Sequence, residues 1–289
     1  MNFKRGSAAL ASVGTIIGLF AAGAARAQEV VGAPYSWQIG FGPSFTPVME
    51  RVNWLHDVLN VTIGVITLFV LGLLVYVMVR FRASRNPTPT TVTHNTVLEI
   101  AWTVIPILIL VFIAVPSFRL LYYGDKAVDA AFTVKVTGHQ WYWTYEYPDH
   151  GNFKVESRML TEADRVKQKP NHPRMMAVDE EMVVPKDAVI RVVGTAADSM
   201  HGWTVPGFGL KKTVIPGRLN EGWIQVAKEG FYFGQCSQIC GNAHAYMPIA
   251  VRVVSKAEFD AWVERKKRSA GLMPPLETDV ASVVPPISR

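Results

Sequence analysis

"VLNVTIGVITLFVLGLLVYVMV", residues 58 to 79, runs for 22 residues without a charged side chain. At a rise of about 1.5 Å per residue such a helix crosses the ~30 Å hydrocarbon core of a bilayer. A second run, "IAWTVIPILILVFIAVPSF" at 100 to 118, has 19 uncharged residues between Glu99 and Arg119. Core helices of a soluble protein could carry similar runs, but Pro106 and Pro116 are easier to accommodate in a membrane bundle. Between the two spans lie Arg80, Arg82 and Arg85, in a connection broken by Pro87 and Pro89. The positive-inside rule puts that connection in the cytoplasm and both chain ends outside.

The N-terminus agrees with this orientation. Lys4 and Arg5 precede an Ala-rich apolar run from Ala8 to Ala25, and Ala25-Arg26-Ala27 reads as a small-x-small cleavage site. Residues 1–27 are therefore expected to be a signal peptide, followed by a periplasmic segment over 28–57 and the spanning hairpin over 58–121.

From Tyr122 the texture changes to short runs rich in Val, Ile, Thr and aromatics, such as "FTVKVTGHQWYWTYEY" and "EMVVPKDAVIRVVGT", separated by Gly, Pro, Asn and Asp clusters. This pattern predicts an antiparallel sandwich or barrel over 122–268. Ser255 with Glu258 three residues on marks the start of a closing helix that ends in basic residues. Residues 269–289 show no periodicity and are expected to form a mobile tail. The formal charge of +6 belongs largely to the N-terminus and the cytoplasmic connection, since 122–289 holds 21 basic against 19 acidic residues. That balance, with dispersed basic groups, excludes a nucleic-acid binder by charge.

The chemistry concentrates in "CSQICGNAHAYM", 236 to 247, which holds both cysteines of the chain. Outside the cytoplasm, Cys236 and Cys240 could close a disulfide. Alternatively, thiolate, imidazole and thioether together form a ligand set suited to copper, with His244 and Met247 beside the cysteines and His201 supplied by "ADSMHGWTVPGFG". No C-x-x-C-H is present for a covalent haem, and neither span offers a haem-ligating constellation.

The motifs "THNTVLEIAWTVIP" (93 to 106), "GHQWYWTYEY" (138 to 147), "DSMHGWTVP" (198 to 206), "IPGRLN" (215 to 220) and "YFGQCSQICGNAHAYMPI" (232 to 249) resemble, in order, those of subunit II of the haem-copper cytochrome c oxidases. The resemblance implies a two-helix transmembrane hairpin carrying an all-β, cupredoxin-like Greek-key barrel in the periplasm of a bacterial inner membrane. It implies a dinuclear copper centre, CuA, bridged by Cys236 and Cys240. His201 and His244 would each give one nitrogen, and Met247 and the Gln238 carbonyl would be weak axial ligands. Trp141 would receive the electron from cytochrome c, Asp198 would help dock that donor, and Glu99 would lie at the mouth of a proton-uptake channel in subunit I. The partners implied are subunit I, subunit III, cytochrome c and membrane lipid.

Two positions depart from the family pattern. Gln238 stands where most members carry a Glu that ligates magnesium or manganese, and Thr213 stands where an acid is common. A weak or empty site for the hard cation and a less basic donor are the corresponding expectations. Other readings of the same residues are a structural or copper-delivery membrane protein whose cysteine pair does not form CuA, or a quinol oxidase subunit, which would lack the cysteines.

Overall fold

The computed structural model describes residues 29–88, 90–125 and 129–273. The expected signal peptide and residues 274–289 of the expected tail lie outside them. Two long helices dominate the N-terminal part: α1, Pro47–Arg80, of 34 residues, and α2, Thr96–Asp125, of 30 residues. Thr46 caps α1 by accepting from the Met49 amide, with Pro47 in the first turn, where its missing N–H costs nothing. The Asn95 carboxamide oxygen accepts from the Leu98 amide at the start of α2. Both helices are long and apolar enough to cross a membrane, and none of the residues in their most apolar stretches is buried within the protein. At about 51 Å, α1 exceeds the ~30 Å apolar thickness of a bilayer, so its first turns stand clear of the lipid.

Those first turns are buried against protein. Val48 and Met49 pack inward, and the Thr46 hydroxyl donates to the Phe208 carbonyl at 2.7 Å. The far end of α2 is tied to the same body. The Trp223 indole donates to the Tyr123 carbonyl at 2.9 Å, Lys212 pairs with Asp125 at 3.0 Å, and the Arg51 guanidinium lies 3.4 Å from the Tyr123 ring centre.

That body is a two-sheet sandwich. Eleven strands are described: β1 Val30–Gly32, β2 Phe132–His139, β3 Tyr142–Tyr147, β4 Phe153–Ser157, β5 Met182–Pro185, β6 Ile190–Ala196, β7 His201–Val205, β8 Leu210–Val214, β9 Asn220–Ile224, β10 Gly230–Cys236 and β11 Pro248–Val254. One sheet runs β5-β11-β10-β7-β8, with β1 paired to the start of β10, and the other runs β4-β3-β2-β6-β9. The expectation of wholly antiparallel pairing fails at three places, since β2 with β6, β5 with β11, and β1 with β10 are parallel. The physical reason is the route of the chain: it leaves one sheet after β4, contributes β5 to the other, and returns as β6 beside β2. A strand that returns from the opposite sheet is freed from the antiparallel sense a tight hairpin imposes.

Trp143, Tyr145, Tyr147, Trp203, Tyr232 and Ile249 are fully buried between the layers. Ser255 caps the closing helix α4, Lys256–Ser269, by accepting from the Glu258 amide at 3.2 Å. Its Phe259 and Trp262 cover Phe132, Tyr147 and Phe153 at one edge of the core. Between β4 and β5 the chain also forms a short helix, α3, Glu162–Gln168, which no apolar period in the sequence announces.

Candidate metal centre

β7 begins at His201 and β10 ends at Cys236, and the two strands pair there, with Cys236 opposite Trp203. The turn from β10 to β11 then carries Cys240, His244 and Met247, the last directly before β11. The ladder therefore fixes this turn at both ends, and side chains pin its middle. Gln140 donates through Nε2 to the Cys240 carbonyl at 2.8 Å, and the Trp143 indole donates to the Met247 carbonyl at 3.1 Å. The Ser237 amide donates to the Gly202 carbonyl at 3.0 Å.

The donor atoms converge. The two sulfurs are 3.9 Å apart and unbridged. His201 Nδ1 is 4.0 Å from Cys236 Sγ, His244 Nδ1 is 3.5 Å from Cys240 Sγ, and Met247 Sδ is also 3.5 Å from Cys240 Sγ. The Gln238 carbonyl oxygen lies 3.2 Å from Cys236 Sγ. His201, Cys236, Cys240 and Met247 are buried, and His244 is half-buried. His201, Cys236 and Cys240 form a group whose ligand atoms lie within 4.8 Å of one another.

Burial opposes ionisation of both thiols. At Cys236 the His201 ring and the Gly202 amide outweigh it and hold the thiol down to about 7, whereas at Cys240 burial and the neighbouring Cys236 push it up to about 12. Two thiolates this close repel each other unless a cation sits between them. Soft sulfur, two imidazoles and one thioether are the donors copper prefers, so the residues fit the metal pair the resemblance implies.

Around these donors lies a supporting layer that motif reading misses. Asp198 Oδ1 is 2.9 Å from His201 Nε2, and the same carboxylate accepts from the Ser199 and Gln140 amides at 2.6 and 2.7 Å. Partial burial would raise the Asp198 carboxyl, but these donors hold it below its ordinary value. A carboxylate on Nε2–H fixes the tautomer that leaves Nδ1 free as a ligand. Gly138 allows β2 to pass this close, because a Cβ there would meet the His201 ring at 2.8 Å. The only sequence signal for this arrangement is Asp198 three residues before His201 and a glycine in a strand.

Trp141 is half-buried beside the cluster, and Gly241, at φ +123°, leaves room for its ring, which a Cβ would approach to 3.0 Å. Glu99 is not part of this cluster. It sits in the first turn of α2, about 39 Å of helix from the sandwich end at Asp125. Thr213 pairs with Gly202 across β7 and β8, and its carbonyl accepts from Asn220.

Comparison with known proteins gives one family for both halves of the molecule. The profile "Cytochrome C oxidase subunit II, periplasmic domain" matches residues 132–254, and "Cytochrome C oxidase subunit II, transmembrane domain" matches residues 34–120. A probable cytochrome c oxidase subunit 2 of Rickettsia bellii is 48% identical over 237 residues, covering 82% of this chain and 87% of that one. The cytochrome c oxidase subunit 2 of Cereibacter sphaeroides is 42% identical over 268 residues, covering 86% and 88%. The crystal structure of the periplasmic domain of subunit II of cytochrome oxidase (CoxB) of Bradyrhizobium japonicum is 50% identical, covers 50% of this chain and 99% of that chain, and superposes with a TM-score of 0.46.

Proposed function

This chain belongs to the cytochrome c oxidase subunit II family, two-pass membrane subunits of an oxidoreductase complex, and from that premise we propose that it is the electron-accepting subunit of a bacterial respiratory oxidase. The observation that carries the proposal is the convergence of Cys236, Cys240, His201, His244 and Met247, each with its donor atom within 4.0 Å of a cysteine sulfur and the two sulfurs 3.9 Å apart. A dinuclear copper centre, when bound, supplies one-electron chemistry between cytochrome c on the periplasmic side and haem in subunit I.

The protein's own contribution is to hold and shield. Cys236, Cys240, His201 and His244 would hold the copper, with Met247 and the Gln238 carbonyl as weaker donors beside them. Because β7, β10 and β11 fix the loop ends, the donors keep their places whether or not an electron is present, so little reorganisation opposes transfer. The buried aromatics Trp143 and Trp203 exclude water from beneath the cluster. Trp141 takes in the electron at the surface, a role supported by its contact with Gly241 on the cysteine loop.

Asp198 orients His201 through its inward carboxylate oxygen. With its side chain 35% exposed it also leaves negative charge at the rim for a cationic donor. Glu99, at the opposite end of α2, serves proton uptake with subunit I, while subunit III and lipid complete the surroundings of the hairpin. A site for magnesium or manganese at the subunit I interface is weak here, since Gln238 brings an amide in place of a carboxylate. The whole sandwich faces the periplasm.

Copper per chain and the electron paramagnetic resonance spectrum of the full-length chain, loaded with copper under reducing conditions and then oxidised by one electron, test the reading together. Two coppers sharing one unpaired electron is the expected result. A Cys236–Cys240 disulfide that persists with reductant and copper present would overturn it in favour of a structural subunit.

A further inference from the structure

One turn, inside an N-terminal segment whose two ends are tied to the sandwich, is left outside both the core and the metal cluster. Val30 to Met49 contains no Asp, Glu, Lys or Arg, and within it "YSWQIGF", 35 to 41, leaves Trp37 96% and Ile39 95% exposed. Isolated apolar side chains on a surface need no explanation, but these two are almost wholly bare and belong to a built turn. The Gln38 side chain closes it, accepting from the Tyr35 amide at 3.4 Å and donating to the Gly40 carbonyl at 3.3 Å. Trp37, at φ +62°, and Ile39 flank that closure and point away from it.

The level of the turn is set by α1. Asn53 donates from Nδ2 to the Gly42 carbonyl at 3.1 Å and to Ser44 Oγ at 2.8 Å, and the Phe41 ring lies 4.7 Å from that of His56. His56 stands two residues before Val58, where the charge-free spanning run begins. Trp54, 58% exposed, stands one turn of α1 before that run, and Tyr122, 76% exposed, stands near the end of α2 beside Tyr123, on whose ring Arg51 of α1 lies. Trp and Tyr concentrate at this boundary because an amphipathic ring suits the headgroup region.

We infer that the 35–41 turn is a membrane-interface anchor, with Trp37 and Ile39 lodged in the outer leaflet of the bilayer between headgroups and acyl chains. Its partner is a lipid surface, chosen because the turn is uncharged, is fixed at the height where the apolar run starts, and continues the aromatic boundary of the helices. The anchor also steadies the site. Tyr35, Gln38 and Phe41 of the turn line a cleft of about 360 Å³ with Phe233, Cys236 and Ser237, and β1 pairs with β10, the strand that ends in Cys236. The inference stands on the two-pass membrane reading and is independent of copper.

Photocrosslinking in the assembled oxidase, in its native membrane, tests it. Trp37→p-benzoylphenylalanine and, separately, Ile39→p-benzoylphenylalanine place a group that inserts into nearby C–H bonds. Ile66→p-benzoylphenylalanine, in the span, gives the full lipid signal for comparison. Phospholipid adducts on positions 37 and 39, within a few-fold of the yield at 66, are expected by mass spectrometry. Crosslinks to another subunit would overturn the inference in favour of a protein partner. Absence of adducts at 37 and 39, with adducts at 66 retained, would overturn it by leaving the turn in water.

Discussion

Leu71 and Ile249 are both large aliphatic residues in regular structure, yet Leu71 is 52% exposed and Ile249 is wholly buried. In α1 and α2 apolar residues cover every face and no residue of α2 is buried, whereas along β4 buried and exposed positions alternate strictly. The spanning hairpin turns its apolar groups outward because its solvent is lipid, and the sandwich turns them inward because its solvent is water. The same composition therefore carries opposite structural meaning in the two regions. The candidate metal ligands belong wholly to the second, where a close-packed interior can hold a loop still.

The largest effect should come from removing a donor that neither region needs for folding. Cys240→Ser leaves both helices and both sheets intact, because the sulfur faces the cluster. If the proposed copper pair forms, the variant should bind one copper or none, with complete loss of the shared-electron signal. Copper analysis and circular dichroism on the same sample check this. Loss of β structure in the variant would break the comparison by showing that the cluster is part of the fold.

Next comes the pair that opened the comparison. Ile249→Ala opens a void between the sheets and should cost about 2–5 kcal/mol. Leu71→Ala should cost less than about 1 kcal/mol, since an acyl chain fills the space and the transfer is between two apolar media. Denaturant titration of the full-length chain in nanodiscs, followed by tryptophan fluorescence, measures both. Equal costs would mean that Leu71 packs against protein.

A third effect lies in the sandwich alone. His172 is 6% exposed between Phe231 and Phe233, and burial, with Lys169 and Arg165 nearby, pushes its imidazole down to about 4. Between about pH 6.5 and 4 the unfolded chain binds a proton that the folded chain refuses, so stability falls as pH falls. The loss is at most about 3 kcal/mol across that window and is complete once pH passes below the folded value. His172→Phe keeps the packing and should flatten this part of the stability profile relative to wild type. An unchanged slope would show that other groups set it.

Much of this division was legible in the sequence, for reasons that differ by region. The spans were readable because a bilayer demands long uncharged runs; the helix ends were not, since Pro47 to Asp57 carries charges and is helical by docking on the sandwich. Strand positions showed as Val, Ile, Thr and aromatic runs, while the parallel pairs depend on which sheet the chain visits next, a non-local choice. Cys236, Cys240, His244 and Met247 are near neighbours in the chain and easily suspected together. Asp198 stands only three residues before His201, but the Gln140 amide on its carboxylate and the Gln140 side chain on the Cys240 carbonyl become visible only when residues 58 and 100 positions apart are brought together.

The most local predicted effect sits where the two regions meet. Thr46 is 2% exposed, and its hydroxyl does two things: it accepts from the Met49 amide at 3.1 Å, capping α1, and it donates to the Phe208 carbonyl at 2.7 Å, fastening α1 to the turn between β7 and β8. Thr46→Ala removes the cap and leaves a buried carbonyl unpaired, at a cost of about 1–2 kcal/mol. Thr46→Ser keeps the hydroxyl and should recover most of it. Because α1 is held in the bilayer by its apolar run and the sandwich by its own core, neither region should unfold. The loss should appear as faster amide exchange confined to Met49, Glu50 and Gly209, the last of which packs against the Met49 backbone. Exchange spreading along β7 and β10 instead would mean that the sandwich depends on the membrane helix for its order, and the two regions would then form one cooperative unit.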